Sequence, residues 1–147
     1  MNTIKQIREK AQTTFKNHLK YLSSGQIEQW VNLFIDDGVL EFPYGPKDFP
    51  KLVRGKTDLY EYMKNFPEHF KVTFENLHFH PTEEPTLVIA EFESSGYAIG
   101  TGNPYNQKYI SVVTTDTEGK MIKYVDFWNP IVAIDAINAP LADFVKN

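Results

Sequence analysis

The 147-residue chain contains no cysteine, which excludes disulfide bonds, thiol nucleophiles and cysteine-held zinc or iron–sulfur centres. It has no run of lysine or arginine, and its 15 basic residues are outnumbered by 19 acidic ones, for a formal charge of -4. A nucleic-acid partner needs a basic stripe against its phosphates, so none is expected. A long hydrophobic run is missing as well. The opening MNTIKQIREK alternates charge with apolar residues, unlike a signal peptide or a membrane span, and the default expectation is a soluble, cytoplasmic protein with no membrane partner. Histidine is scarce, at four residues. His78 and His80 share one strand face, but no third ligand lies near them in sequence, and no metal site is expected.

What the chain does have is aromatic residues, 14% of the total, and a clear change of periodicity along its length. Ile4, Ile7, Ala11, Phe15, Leu19 and Leu22 recur at three or four residues, the stripe of an amphipathic helix, with His18 on or beside it. Ser23, Ser24 and Gly25 break the run. Ile27, Trp30, Val31 and Phe34 predict a second, shorter helix stopped by Asp36, Asp37 and Gly38. Val39 to Phe42 reads as a short strand closed by Pro43, and Tyr44 to Leu52 as a loop. Thr57 is placed to cap a third helix whose buried side is Leu59, Tyr62, Met63 and Phe66, ending before Pro67. After it come four segments rich in Val, Ile, Thr, Tyr and Phe: Lys71 to His80, Thr86 to Ala98, Gln107 to Thr117 and Lys120 to Trp128. The tight turn at Glu118 and Gly119 makes the last two antiparallel neighbours. Helices followed by a run of strands specify an α+β class, a curved antiparallel sheet packed on three N-terminal-half helices, in one domain spanning residues 1–147.

The segment YVDFWNP, Tyr124 to Pro130, carries the most chemistry. In a strand, side chains alternate between faces, which places Ile122, Tyr124, Asp126 and Trp128 on one face and Met121, Lys123, Val125 and Phe127 on the other. An aspartate in aromatic company is either exposed at an edge, paired with a partner, or buried where its pKa rises and it can move protons.

GQIEQWVNLFIDDGVLEFPYG, followed later by EGKMIKYVDFWNP, resembles the nuclear transport factor 2-like superfamily: the cone-shaped α+β fold of ketosteroid isomerases, SnoaL-like polyketide cyclases and phenazine-biosynthesis A/B proteins. The chain is most similar to the phenazine A/B and SnoaL-like branch, where an acidic residue, two aromatic or apolar residues and Asn-Pro also close the last strand. The resemblance implies a cone with an apolar pocket. The catalytic base of the isomerases falls on Phe42 and their second oxyanion acid on Ser111, so two of their three roles are changed; their oxyanion tyrosine falls on His18, which can also donate a hydrogen bond. A pocket-facing tryptophan of theirs matches Trp128. In the phenazine A/B and SnoaL-like proteins the acid on the last strand is the proposed proton donor or acceptor, which is Asp126 here. The phenazine proteins also use a histidine on the third helix, and Thr57 to Phe66 contains none.

The expected catalytic residues are therefore Asp126 with His18 assisting, and the expected substrate-binding residues are Phe42, Tyr97, Tyr109, Ser111, Tyr124 and Trp128, with Tyr105 as further lining. Each has a structural alternative: Asp126 as a hydrogen-bonding acid, His18 as a satisfied core residue, the tyrosines as packing. Glu41 should face away from the pocket, and Arg54 would bind a substrate carboxylate or pair with an acid near the third helix. Three readings of function stay open. One is a cofactor-free enzyme performing acid–base cyclisation, isomerisation or dehydration on a small apolar or cyclic molecule. The others are a non-catalytic small-ligand-binding protein or an assembly module of the same fold, and a phenazine-biosynthesis-like role is a further possibility the resemblance raises. Large apolar residues on both faces of the last strand call for a cover, and the superfamily's usual sheet-to-sheet homodimer would supply it.

Overall fold

The computed structural model describes residues 3–140 and 143–144. Helix α1 (Ile4–Ser23) starts at a capping box in which Thr3 accepts from the Gln6 backbone and the Gln6 side chain accepts in return from the Thr3 backbone, satisfying two amides that have no helical acceptor. It buries Ala11, Phe15, His18, Leu19 and Leu22, the stripe expected from the sequence from Ala11 onward, whereas Ile4 at its start is exposed and Ile7 is only half-buried. The Phe15 ring sits 5.1 to 6.0 Å from the rings of His18, Phe92, Phe79 and Tyr124, and burying a side chain of this size stabilises the fold by about 2–3 kcal/mol.

Helix α2 (Ile27–Val31) is shorter than its apolar spacing suggests. Phe34, read as its last buried position, instead opens strand β1 (Phe34–Glu41), where it pairs with Met121 and is fully buried. Pairing with a distant strand overrides the local helical period, and the pairing is irregular across Asp36, Asp37 and Gly38. Strand β2 (Leu52–Arg54), which begins at the last residue of the expected loop and is not foreseen from the sequence, pairs antiparallel with Val39–Glu41. Helix α3 (Lys56–Met63) is preceded by Gly55 at its cap position rather than capped by Thr57. Pro67 does not end the helical region: it is the third residue of a further turn, α4 (Asn65–His69), where its missing N–H would have had no partner anyway.

Strands β3 (Phe70–His80), β4 (Leu87–Ala98), β5 (Gln107–Thr115) and β6 (Met121–Phe127) complete one six-stranded curved sheet in the order β2-β1-β6-β5-β4-β3. Every pairing is antiparallel except β1 with β6, which is parallel. Gly119, at φ +89°, makes the tight turn between β5 and β6 against the Lys10 carbonyl. A final helix, α5 (Pro130–Ile137), follows β6. Its start signal, Asn129 capping with Pro130 in the first turn, lies in the motif that also closes the strand. The described residues thus hold five helices rather than three, four of them before the β3–β6 meander.

One register detail corrects the strand-face assignment. Met121 pairs with Thr115 and Lys123 with Thr114, leaving Ile122 unpaired in a bulge. The bulge moves Met121 onto the buried face and Ile122 outward, 38% exposed, reversing the expected placement of both. From Tyr124 onward the alternation resumes, and Tyr124, Asp126 and Trp128 face the interior of the cone.

Candidate functional site

The sheet, α1, α3 and α5 enclose a cavity of about 70 Å³. Its walls are mainly rings: Phe42 lies 5.8 Å from Trp128 and 5.3 Å from Tyr62, and Phe144 closes one side 5.9 Å from both Tyr62 and Phe70. No lysine or arginine among the described residues lines it.

Asp126 is the acid among these rings. Its side chain is half-buried, with its remaining surface open to the cavity, and Oδ1 accepts a hydrogen bond from Ser111 Oγ at 3.2 Å. Loss of water pushes the carboxyl from its ordinary 3.8 up to about 7, the Ser111 hydrogen bond acting in the opposite direction. The phenols of Tyr62, Tyr109, Tyr105 and Tyr124 are all raised above their usual value, first by burial and in part by the nearby Asp126 charge. They remain protonated hydrogen-bond donors throughout the neutral range.

His18 lines the same cavity and is 4% exposed. Burial pushes it down to about 3, so it is neutral, and both ring nitrogens are occupied: Trp30 Nε1 donates to Nδ1 at 2.8 Å, and Nε2 lies 2.9 Å from the Tyr124 hydroxyl. That hydroxyl is 2.7 Å from Ser111 Oγ. His18 therefore reaches Asp126 only through two hydroxyls.

Of the residues expected at the site, His18, Phe42, Tyr105, Tyr109, Tyr124, Asp126 and Trp128 line the cavity together. Ser111 stands directly behind, fully buried and bonded to both Tyr124 and Asp126. Tyr97 is elsewhere. On β4 the even-numbered Phe92, Ser94 and Ala98 are buried, so Tyr97 points outward at 44% exposure. Arg54 also lies outside, in a surface groove with Asp58 and Glu61. Glu41 faces away from the cavity and pairs with Lys123 at 3.4 Å. His78 and His80 meet edge to face on the outer face, where His80 pairs with Glu91, and the described residues contain no cluster of three metal-ligating side chains. His69, just past the span read as the third helix, packs against Phe144 at 5.1 Å with its Nε2 buried and unpartnered, and it does not line the cavity.

Three participants escaped the sequence reading. Tyr62 and Trp30 were placed on buried helix faces, where apolar periodicity says nothing of their polar atoms. Phe144, far from the other wall residues in sequence, carried no signal.

A family model for the SnoaL-like domain matches residues 15–124. A PhzA/B-like protein of Pseudomonas aeruginosa is 39% identical over 119 residues, covering 81% of this chain and 84% of its own. A crystal structure from Bacillus subtilis superposes with a TM-score of 0.87 at 35% identity, covering 94% of this chain and 96% of that one. An epoxide hydrolase/cyclase-like enzyme of pyran ring formation in the polyether salinomycin has a TM-score of 0.71 at 18% identity, over 84% of this chain and 94% of its own, a likeness of fold alone.

Proposed function

Because the chain belongs to the SnoaL-like domain family, we propose that it is a small-molecule enzyme working by cofactor-free acid–base chemistry, of the kind that cyclises, isomerises or dehydrates, with Asp126 as the proton-transferring group. The observation that carries this reading is a carboxyl held near pKa 7 in an aromatic cavity with no counter-cation among the described residues of its walls. A group at its midpoint near neutrality gives up or accepts a proton at little cost, which is where Brønsted behaviour makes a general acid or base most effective. The missing cation argues for an uncharged substrate, since an anion would enter unpaired beside Asp126. The cavity, at about 70 Å³, is roughly half the ~150 Å³ that accommodates benzene, so a cyclic substrate would require the ring side chains that line it to move.

The test is a pH–rate profile. On a true substrate, kcat/KM should show a limb near pH 7, falling below it if Asp126 is the base and above it if Asp126 is the acid. A profile flat across that region would remove Asp126 from the chemistry. A second reading, binding without turnover, is favoured by the occupied nitrogens of His18, which leave Asp126 without a free titrating partner.

A homodimer is proposed as the working form. Ile110 and Ile122 on the outer sheet face are 45% and 38% exposed, with Val125 and Phe127 partly exposed beside them, and a second copy packed on that face would cover all four. Light scattering should give twice the chain mass at micromolar concentration; a monomer across that range would refute the assembly.

A further inference from the structure

The hydrogen-bond chain behind the cavity has a fixed direction. An indole nitrogen only donates, and Trp30 donates to Nδ1 of His18 at 2.8 Å. The neutral imidazole must then carry its proton on Nε2 and donate to the Tyr124 oxygen, 2.9 Å away. Tyr124 has one proton of its own, which is left for Ser111 Oγ at 2.7 Å, and the Ser111 proton is left for Asp126 Oδ1 at 3.2 Å. Each donor is set by the one before it, and the first cannot reverse.

We propose that Trp30 and His18 are positioning residues which, acting through Tyr124 and Ser111, reserve Oδ1 of Asp126 as a hydrogen-bond acceptor and so place the carboxyl proton on Oδ2, the oxygen left for a ligand. His18 is then not a proton relay: its role is to pass on an orientation, and low basicity suits that role. The groups that bear on Asp126 are Tyr62 from α3, Tyr105 and Tyr109 from β5 and the segment before it, Ser111 from β5 and Tyr124 from its own strand, with neutral His18 beyond. None is cationic, so the Ser111 hydrogen bond is the interaction on this carboxyl that favours its charged form. Cooperative polarisation along the chain makes that bond stronger than an isolated hydroxyl would provide.

The proposal rests on Asp126 being the proton-carrying group of the cavity, but its test needs no substrate. The full chain would be followed by carboxyl-carbon NMR for Asp126 and ring-nitrogen NMR for His18. From about pH 5 to pH 8 the imidazole should show a protonated Nε2 and a bare Nδ1. Removing a donor from a carboxylate raises its pKa, so Ser111→Ala should lift the Asp126 midpoint by about one unit and Trp30→Phe by about half a unit. Trp30→Phe should add nothing once Ser111 is already alanine, because the influence travels through that hydroxyl. His18→Gln, whose amide can accept from Trp30 and donate to Tyr124, should keep the wild-type midpoint. A charged or Nδ1-protonated imidazole, or a Trp30→Phe shift that persists in the Ser111→Ala background, would overturn the proposal. Should Trp30→Phe fail to fold, the wild-type imidazole spectrum and the His18→Gln midpoint decide. Activity surviving in Asp126→Asn would sink the functional reading while leaving these titrations standing.

Discussion

Asp126→Asn should lose about 100-fold or more in kcat, the usual share of a general acid or base, while melting no lower than the wild type. The two halves of this expectation have one cause. The carboxyl titrates near 3.8 when exposed and near 7 in the folded cavity, so above pH 7 the folded protein holds an anion where its surroundings disfavour one. With part of the group's surface open to the cavity, that disadvantage is roughly 2–4 kcal/mol at pH 8. Asparagine removes the charge, keeps the size, and can still accept from Ser111 through its amide oxygen. Thermal melting at pH 8 should therefore rise by about 5 °C or more. A site that trades stability for chemistry behaves in this way. If Asp126 instead serves the fold, the variant should melt lower than wild type and any activity should follow the folded fraction; that result would move the assignment from enzyme to binding protein.

The pH dependence of stability should change slope when Asp126 is neutralised. His18 titrates at 6.5 unfolded and about 3 folded. Below pH 6.5 the unfolded chain takes up a proton that the folded protein refuses, so this group's contribution is complete above 6.5 and is lost by about 1.4 kcal/mol per pH unit on acidification. Asp126 runs the other way. Between 3.8 and 7 the folded protein holds a proton the unfolded chain has released, so its contribution is complete below 3.8 and declines as pH rises, at a similar rate of about 1.4 kcal/mol per unit. In the wild type the two slopes oppose each other between about pH 4 and pH 6.5 and nearly cancel. Asp126→Asn removes one of them and should gain about 3 kcal/mol of stability on going from pH 4 to pH 6.5 relative to wild type. Urea unfolding of both proteins at a series of pH values gives the difference directly, and surface carboxylates common to both drop out. Parallel curves would show that burial does not perturb the Asp126 titration as described.

Local patterns made some of this molecule legible and long-range pairing hid the rest. The stripe of α1 and the β5–β6 turn follow from side-chain period and a glycine, both local. So does the inward face shared by Tyr124, Asp126 and Trp128. The exchange of Met121 and Ile122 does not, because a bulge is an agreement between two strands and leaves no mark in one of them. Phe34 was given to a helix for the same reason: its partner Met121 is far away in sequence. At the site, residue type identified Asp126 and His18 as candidates, but the hydrogen bond from Trp30 that settles the state of His18 joins the faces of two helices. Tyr97 shows the limit of counting aromatics, since only the strand's phase, set by its buried neighbours Phe92 and Ser94, decides which side a ring occupies.

The parallel pairing of β1 with β6 bears on the order of events as the chain leaves the ribosome. β1 emerges early and can form a ladder with β2, but its other edge waits until Met121–Phe127 has been made. Asp126 lies on that late strand, held between β1 and β5, so the cavity has no acid until β6 has been made. Contacts of such long sequence separation slow folding, and an unpaired strand edge exposed in the meantime is prone to association. A nascent chain truncated before Met121 would therefore present β1 as an open edge, and that is the stage of synthesis at which a chaperone would be most needed.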